Sequence, residues 1–137
     1  MQGLIGLVLK RGESEMAKSI LIVDDAISMR GLLSMTLNNL GYNVVEANDG
    51  EDAMIKLSSS NKIDLIITDL NMPKMDGIEL IKKLKLEPRY KFIPVIMLTT
   101  EGQESKKEEG RAAGAKAWVV KPFKPDVLHG VVKKIIG

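Results

Sequence analysis

From Ser19 onward the sequence repeats one rhythm five times: a short apolar run, a turn, then a longer segment with apolar residues at helical spacing. Unbroken apolar runs are the pattern of strands covered on both faces, and amphipathic segments between them have the length of crossover helices. The rhythm predicts repeated βαβ units around a parallel sheet, an α/β doubly wound fold. Strands are expected at 19–24, 43–47, 63–69, 95–99 and 117–121, the first, third and fourth nearly continuous in Val, Ile, Leu and Met. With 137 residues, 45% hydrophobic and 28% charged, the chain is sized and composed for one such core and not for two full domains.

The helices carry their own signals. The first follows Asp25, with Leu33, Leu37 and Leu40 as its apolar stripe and Gly41 at the position past the helix end that favours left-handed backbone. Asp49 is placed to cap a second helix bearing Ala53, Met54 and Leu57. A third is expected from Gly77 to Lys85 on Ile78, Ile81 and Leu84, and a fifth opens at Pro125 and buries Val127, Leu128, Val131, Val132 and Ile135. The fourth, Gln103 to Ala113, is the weakest. It contains Gly110, a cost of about 1 kcal/mol against alanine, and like charges four apart at Glu104 and Glu108 and at Lys107 and Arg111.

Composition removes several function classes. No cysteine means no disulfide, thiolate metal site or cysteine nucleophile. The net charge of +2 is spread along the chain without a basic stripe, so nucleic acid is not an expected partner. The apolar stretch Leu4–Leu9 is far too short to span a bilayer, and it lacks the flanks of a secretory signal, so no membrane association is expected. His129, the only histidine, lies among apolar neighbours without ligand partners and reads as a surface or packing residue.

Ligands of open parallel sheets bind outside the carboxyl ends of the strands. Those ends carry Asp24 and Asp25, then Asp69, Thr99 and Lys121. Each alone has an ordinary explanation: a helix cap, a loop start, a β-branched strand end, a solvated lysine. Together they place three carboxylates, a hydroxyl and an ammonium at one mouth, which those explanations do not cover. Carboxylates so close repel unless a cation screens them, and oxygen-only donors with open positions suit Mg²⁺. Lys121 and Thr99 could then serve phosphoryl oxygens. The pattern is that of phosphoryl transfer with an aspartate as nucleophile.

These residues carry a resemblance. In LIVDD at 21–25, TDLNMPKMDG at 68–77, MLTT at 97–100 and KPF at 121–123, residues 16–137 resemble the receiver domains of two-component response regulators, and among them the single-domain chemotaxis type. The resemblance implies a flavodoxin-like (βα)5 fold with strand order 2-1-3-4-5, an order that belongs to the family and does not follow from the apolar pattern. It implies Asp69 as phosphoacceptor for a phosphohistidine on a histidine kinase. Asp25 and Asp69 would hold Mg²⁺ directly, Asn71 through its backbone carbonyl and Asp24 through water. Lys121 would pair with the phosphoryl group, aimed by a cis peptide to Pro122. Thr99 would be drawn to a phosphoryl oxygen and the aromatic at 118 would change rotamer in response. Asn71 and Glu101 occupy positions where the family tunes the lifetime of its acyl phosphate. Trp118 stands where Tyr or Phe is more usual; it is larger and offers only an N–H donor, so an inward position requires more space and a different partner.

The implied function is that of a cytoplasmic, monomeric switch that assists its own phosphorylation and dephosphorylation without acting on an external substrate. Its surface is expected to change around the fourth helix, fifth strand and fifth helix. No output domain is expected after Gly137, so the signal would pass to a protein target such as a flagellar motor or another chemotaxis component, or the chain would drain phosphoryl groups as a sink. A receiver-like interaction module that is never phosphorylated is the alternative. A flavin- or nucleotide-binding protein would want a glycine- or hydroxyl-rich loop after the first strand, where this chain has DDAISMR. Residues 1–15 fall outside the rhythm and are expected to be a leader apart from the core. Met16 opens MAKSILIVDD, a natural beginning for the first strand, and Arg11-Gly12-Glu13 can be encoded by a purine-rich stretch resembling a ribosome-binding site.

Overall fold

The computed structural model describes residues 17–60 and 62–137, so the leader lies outside the described residues. Five parallel strands form one sheet: β1 (Ser19–Val23), β2 (Asn43–Ala47), β3 (Leu65–Thr68), β4 (Val95–Thr99) and β5 (Ala117–Val120). They alternate with α1 (Ile27–Asn39), α2 (Gly50–Ser59), α3 (Gly77–Lys85), α4 (Glu104–Ala113) and α5 (Pro125–Ile136). The strand order is 2-1-3-4-5, the order that the resemblance implies.

That order explains the composition of the strands. β1, β3 and β4 are interior, and apart from Ser19 every residue in them is buried. β2 and β5 are the edges, and they are the two strands that admit Glu46 and the exposed Val120. One face of the sheet packs Ile20, Ile22, Ile67, Ile96 and Leu98 against Leu33 and Leu37 of α1 and Leu128 and Val132 of α5. The other packs Leu21, Val23, Ile66 and Met97 against α2 and α3, with Ala113 of α4 and Trp118 at its margin. Both faces are therefore closed to water, which removes the apolar area that drives folding.

Local chemistry sets the helix ends. Asp49 accepts from the Asp52 N–H at 2.8 Å, and Asp76 and Glu79 form a reciprocal capping box at the start of α3. Gly41 has φ +96° and Pro125 sits in the first turn of α5, as expected. Several sequence expectations are corrected. Strands one, three and five are shorter than read, ending at Val23, Thr68 and Val120, because the polar residues that follow turn into the loops. Leu40 and Val127 are exposed rather than buried, since each lies at a helix end beyond the packed stripe. In α4 the charges pair three apart, Lys107 with Glu104 at 3.6 Å, Lys106 with Glu109 at 3.3 Å and Arg111 with Glu108, which offsets the like charges four apart.

Candidate phosphoacceptor site

Asp24, Asp69 and Lys121 at the sheet's carboxyl edge stand one position past their strands, and one further ladder bond fixes each backbone. The Asp24 N–H donates to the Ala47 carbonyl at 3.1 Å, the Asp69 N–H to Val23 at 2.9 Å and the Lys121 N–H to Thr99 at 2.8 Å. These three side chains thus project from backbone held by the sheet itself, which suits a site whose geometry must persist. Parallel register carries Lys121, 97 residues from Asp24 in sequence, to the same mouth.

Lys121 is the centre of the arrangement. Its ammonium donates to Asp24 Oδ2 at 2.8 Å and to Asp69 Oδ2 at 3.3 Å, with all three side chains largely shielded from water. The second oxygen of each acid is also engaged: Asp24 Oδ1 accepts from the Ala26 N–H at 2.9 Å and Asp69 Oδ1 from the Leu70 N–H at 2.7 Å. Asp25 is exposed, and oxygens of Asp24, Asp25 and Asp69 lie within 4.8 Å of one another. One ammonium among three carboxylates leaves the cluster net negative. Its charge and all-oxygen donor set fit a hard divalent cation. The helix-capping explanation of the acid pair fails, because the N-cap of α1 is Ala26, which has no side-chain cap.

Thr99 is fully buried at the end of β4, and its Oγ1 accepts from the Glu101 N–H at 3.3 Å. Asn71 is exposed in the loop that follows β3. The Lys121–Pro122 peptide is cis, in accord with the resemblance. Trp118 belongs to the opposite side of β5 from Val119, and its indole N–H donates to the Glu101 carbonyl at 2.7 Å. His129 is half-buried and lies edge-on to the Tyr42 ring at 6.4 Å.

Two residues that shape the site were not singled out from sequence. Arg30 donates from Nη1 to the Asp24 carbonyl at 2.6 Å and from Nε to Glu46 at 3.1 Å, tying α1 and β2 to the acid loop. No local pattern marks it, since its role depends on how α1 lies over the sheet. Gly77 donates to the Leu70 carbonyl at 2.8 Å and lies so close to the Asp69 carbonyl that a Cβ would come within 2.4 Å of it. The only sequence signal was its place at the end of the Asp69 loop motif.

Among the described residues no helix is long and apolar enough to cross a membrane. The family model for the response regulator receiver domain matches residues 20–133. Chemotaxis protein CheY1 of Helicobacter pylori is 41% identical over 119 residues, which span 86% of this chain and 96% of that protein. Chemotaxis protein CheY of Pseudomonas aeruginosa is 42% identical over 117 residues, 85% of this chain and 94% of that one. The solved structure of chemotaxis protein CheY4 of Vibrio cholerae aligns with a TM-score of 0.82 at 44% identity, covering 87% of this chain and 98% of that one.

Proposed function

Because this chain belongs to the response regulator receiver family and has chemotaxis CheY proteins as homologues, we propose that it relays a chemotaxis signal by taking a phosphoryl group on Asp69. The observation that carries this reading is the Lys121 ammonium set between Asp24 and Asp69, in an acid cluster at the carboxyl edge of the sheet. A solvated lysine or a helix cap has no reason to adopt that position. The functional unit is residues 16–137.

In this reading Asp25 and Asp69 would hold Mg²⁺ directly, Asn71 through its backbone carbonyl and Asp24 through water. When bound, such an ion would supply positive charge to screen the acids and the oxygens of an incoming phosphoryl group. Asp69 is the nucleophile: its carboxylate oxygen forms the O–P bond as the P–N bond of a kinase phosphohistidine breaks, the electron pair staying on the imidazole nitrogen. Its other oxygen already accepts from Leu70, so the carboxylate is oriented before the donor arrives. Lys121, already beside Asp69 Oδ2, offers its ammonium to the phosphoryl oxygens, and the Thr99 hydroxyl offers a hydrogen bond. The chain thereby assists its own phosphorylation, and its output goes to a downstream protein.

Incubation with acetyl phosphate and Mg²⁺ should give a base-labile phosphoprotein. The product should be absent without divalent cation and in Asp69→Asn. Incorporation in Asp69→Asn at the wild-type level would overturn the assignment.

A further inference from the structure

Trp118 rests where a helix residue has no side chain. The benzo ring of its indole lies against the backbone of Gly110 in α4, where a Cβ would come within 2.6 Å of Cζ3 and 3.1 Å of Cε3. An indole is rigid, so no flexible tip can yield to such a contact. Alanine is the better helix former, so glycine in the interior of α4 is not explained by the helix itself. Gly110 is also the one buried residue of α4, so the indole meets the helix at its most shielded point.

From this seat the indole N–H reaches the Glu101 carbonyl at 2.7 Å. The N–H of Glu101 in turn donates to Thr99 Oγ1 at 3.3 Å. A single residue, Glu101, is therefore held from both sides, by the aromatic of β5 and by the hydroxyl at the end of β4. The larger ring finds its space at Gly110 and its partner in a carbonyl that accepts from an N–H as well as it would from an O–H.

We infer that Gly110 is a positioning residue: it seats Trp118, and through the Glu101 peptide it keeps the Thr99 hydroxyl in place for a phosphoryl group. This rests on the reading of Thr99 as a phosphoryl contact. The seat borders a cleft of about 270 Å³ flanked by Glu104, Lys107, Glu108 and Lys116, which is the open space into which a displaced indole would move. Filling the seat therefore alters two things together: the surface between α4 and β5, and the position of Thr99.

The test uses the full chain, with Trp118 as its only tryptophan. Gly110→Ala should raise the accessibility of the indole to iodide quenching and red-shift its emission. It should also weaken binding of beryllofluoride with Mg²⁺ by about fivefold, the lower end of coupling between linked sites. Beryllofluoride affinity in the variants is followed through thermal stabilisation, which needs no tryptophan. Trp118→Phe removes the ring atoms that clash, so adding Gly110→Ala to Trp118→Phe should cost no further affinity. This double variant also answers for misfolding of the single one. Quenching and emission in Gly110→Ala equal to wild type would overturn the seat. A fivefold loss repeated in the Trp118→Phe background would overturn the route through Trp118. If wild type bound no beryllofluoride while the quenching changes appeared, the phosphoacceptor reading would fail and the seat would stand.

Discussion

Gly77→Ala turns the geometry of the acid loop into a number. The new Cβ would lie 2.4 Å from the Asp69 carbonyl oxygen, 3.1 Å from the Leu70 Cα and 2.9 Å from the Met97 sulfur. The thioether can swing aside, but the first two atoms are backbone. Neither side retreats easily: the Asp69 N–H is bonded to Val23 at the edge of the sheet, and the capping box of Asp76 and Glu79 fixes the start of α3. Overpacking against backbone costs about 1–3 kcal/mol, and the Gly77 N–H bond to Leu70, worth about 1 kcal/mol, is strained with it. The expected loss is about 3 kcal/mol, or about 2 M in the urea midpoint at a slope of about 1.5 kcal/mol/M. Because the Cβ pushes on the phosphoacceptor's own peptide, the rate of acetyl phosphate labelling should fall about tenfold or more. Gly31→Ala is the control. A Cβ there meets nothing within 4 Å, so the same change within α1 should stabilise by up to about 1 kcal/mol. If both variants shifted the midpoint in the same direction, or if Gly77→Ala left it at the wild-type value, the reasoning from close approach would be refuted.

Other outcomes follow from the cluster and the chain ends. Lys121→Met leaves Asp24 and Asp69 without their ammonium, and melting should show a loss of about 3 kcal/mol that millimolar Mg²⁺ largely restores; equal melting with and without Mg²⁺ would remove the cation from the account. In wild type, Mg²⁺ should raise the melting temperature through preferential binding to the folded state, and Asp25→Asn should reduce that rise. Deleting residues 1–15 should leave melting and phosphorylation unchanged, with calorimetry and acetyl phosphate labelling as the measurements.

Strand identity, helix positions and the residues of the acid cluster were readable in the sequence because each depends on local chemistry. A strand covered on both faces needs an unbroken apolar run, and Leu65 to Thr68 is buried throughout for that reason. A polar residue just past such a run must stand at the edge of the sheet, so Asp24, Asp69, Thr99 and Lys121 could be named from position alone. The Asp49 and Pro125 signals acted within a single turn and were equally plain.

Tertiary structure decided what depends on distant parts of the chain meeting. Nothing near Lys121 announces that its ammonium bridges Asp24 and Asp69; the sheet order and register bring them together. Arg30 gained its hold on Asp24 only when α1 lay beside β2. Gly110 looked like a flaw in α4, since propensity counts the missing methyl group as a cost within the helix, while the indole that needs its absence arrives from another strand. Local preferences are set by neighbours along the chain, but close approach is set by packing, which no single segment contains.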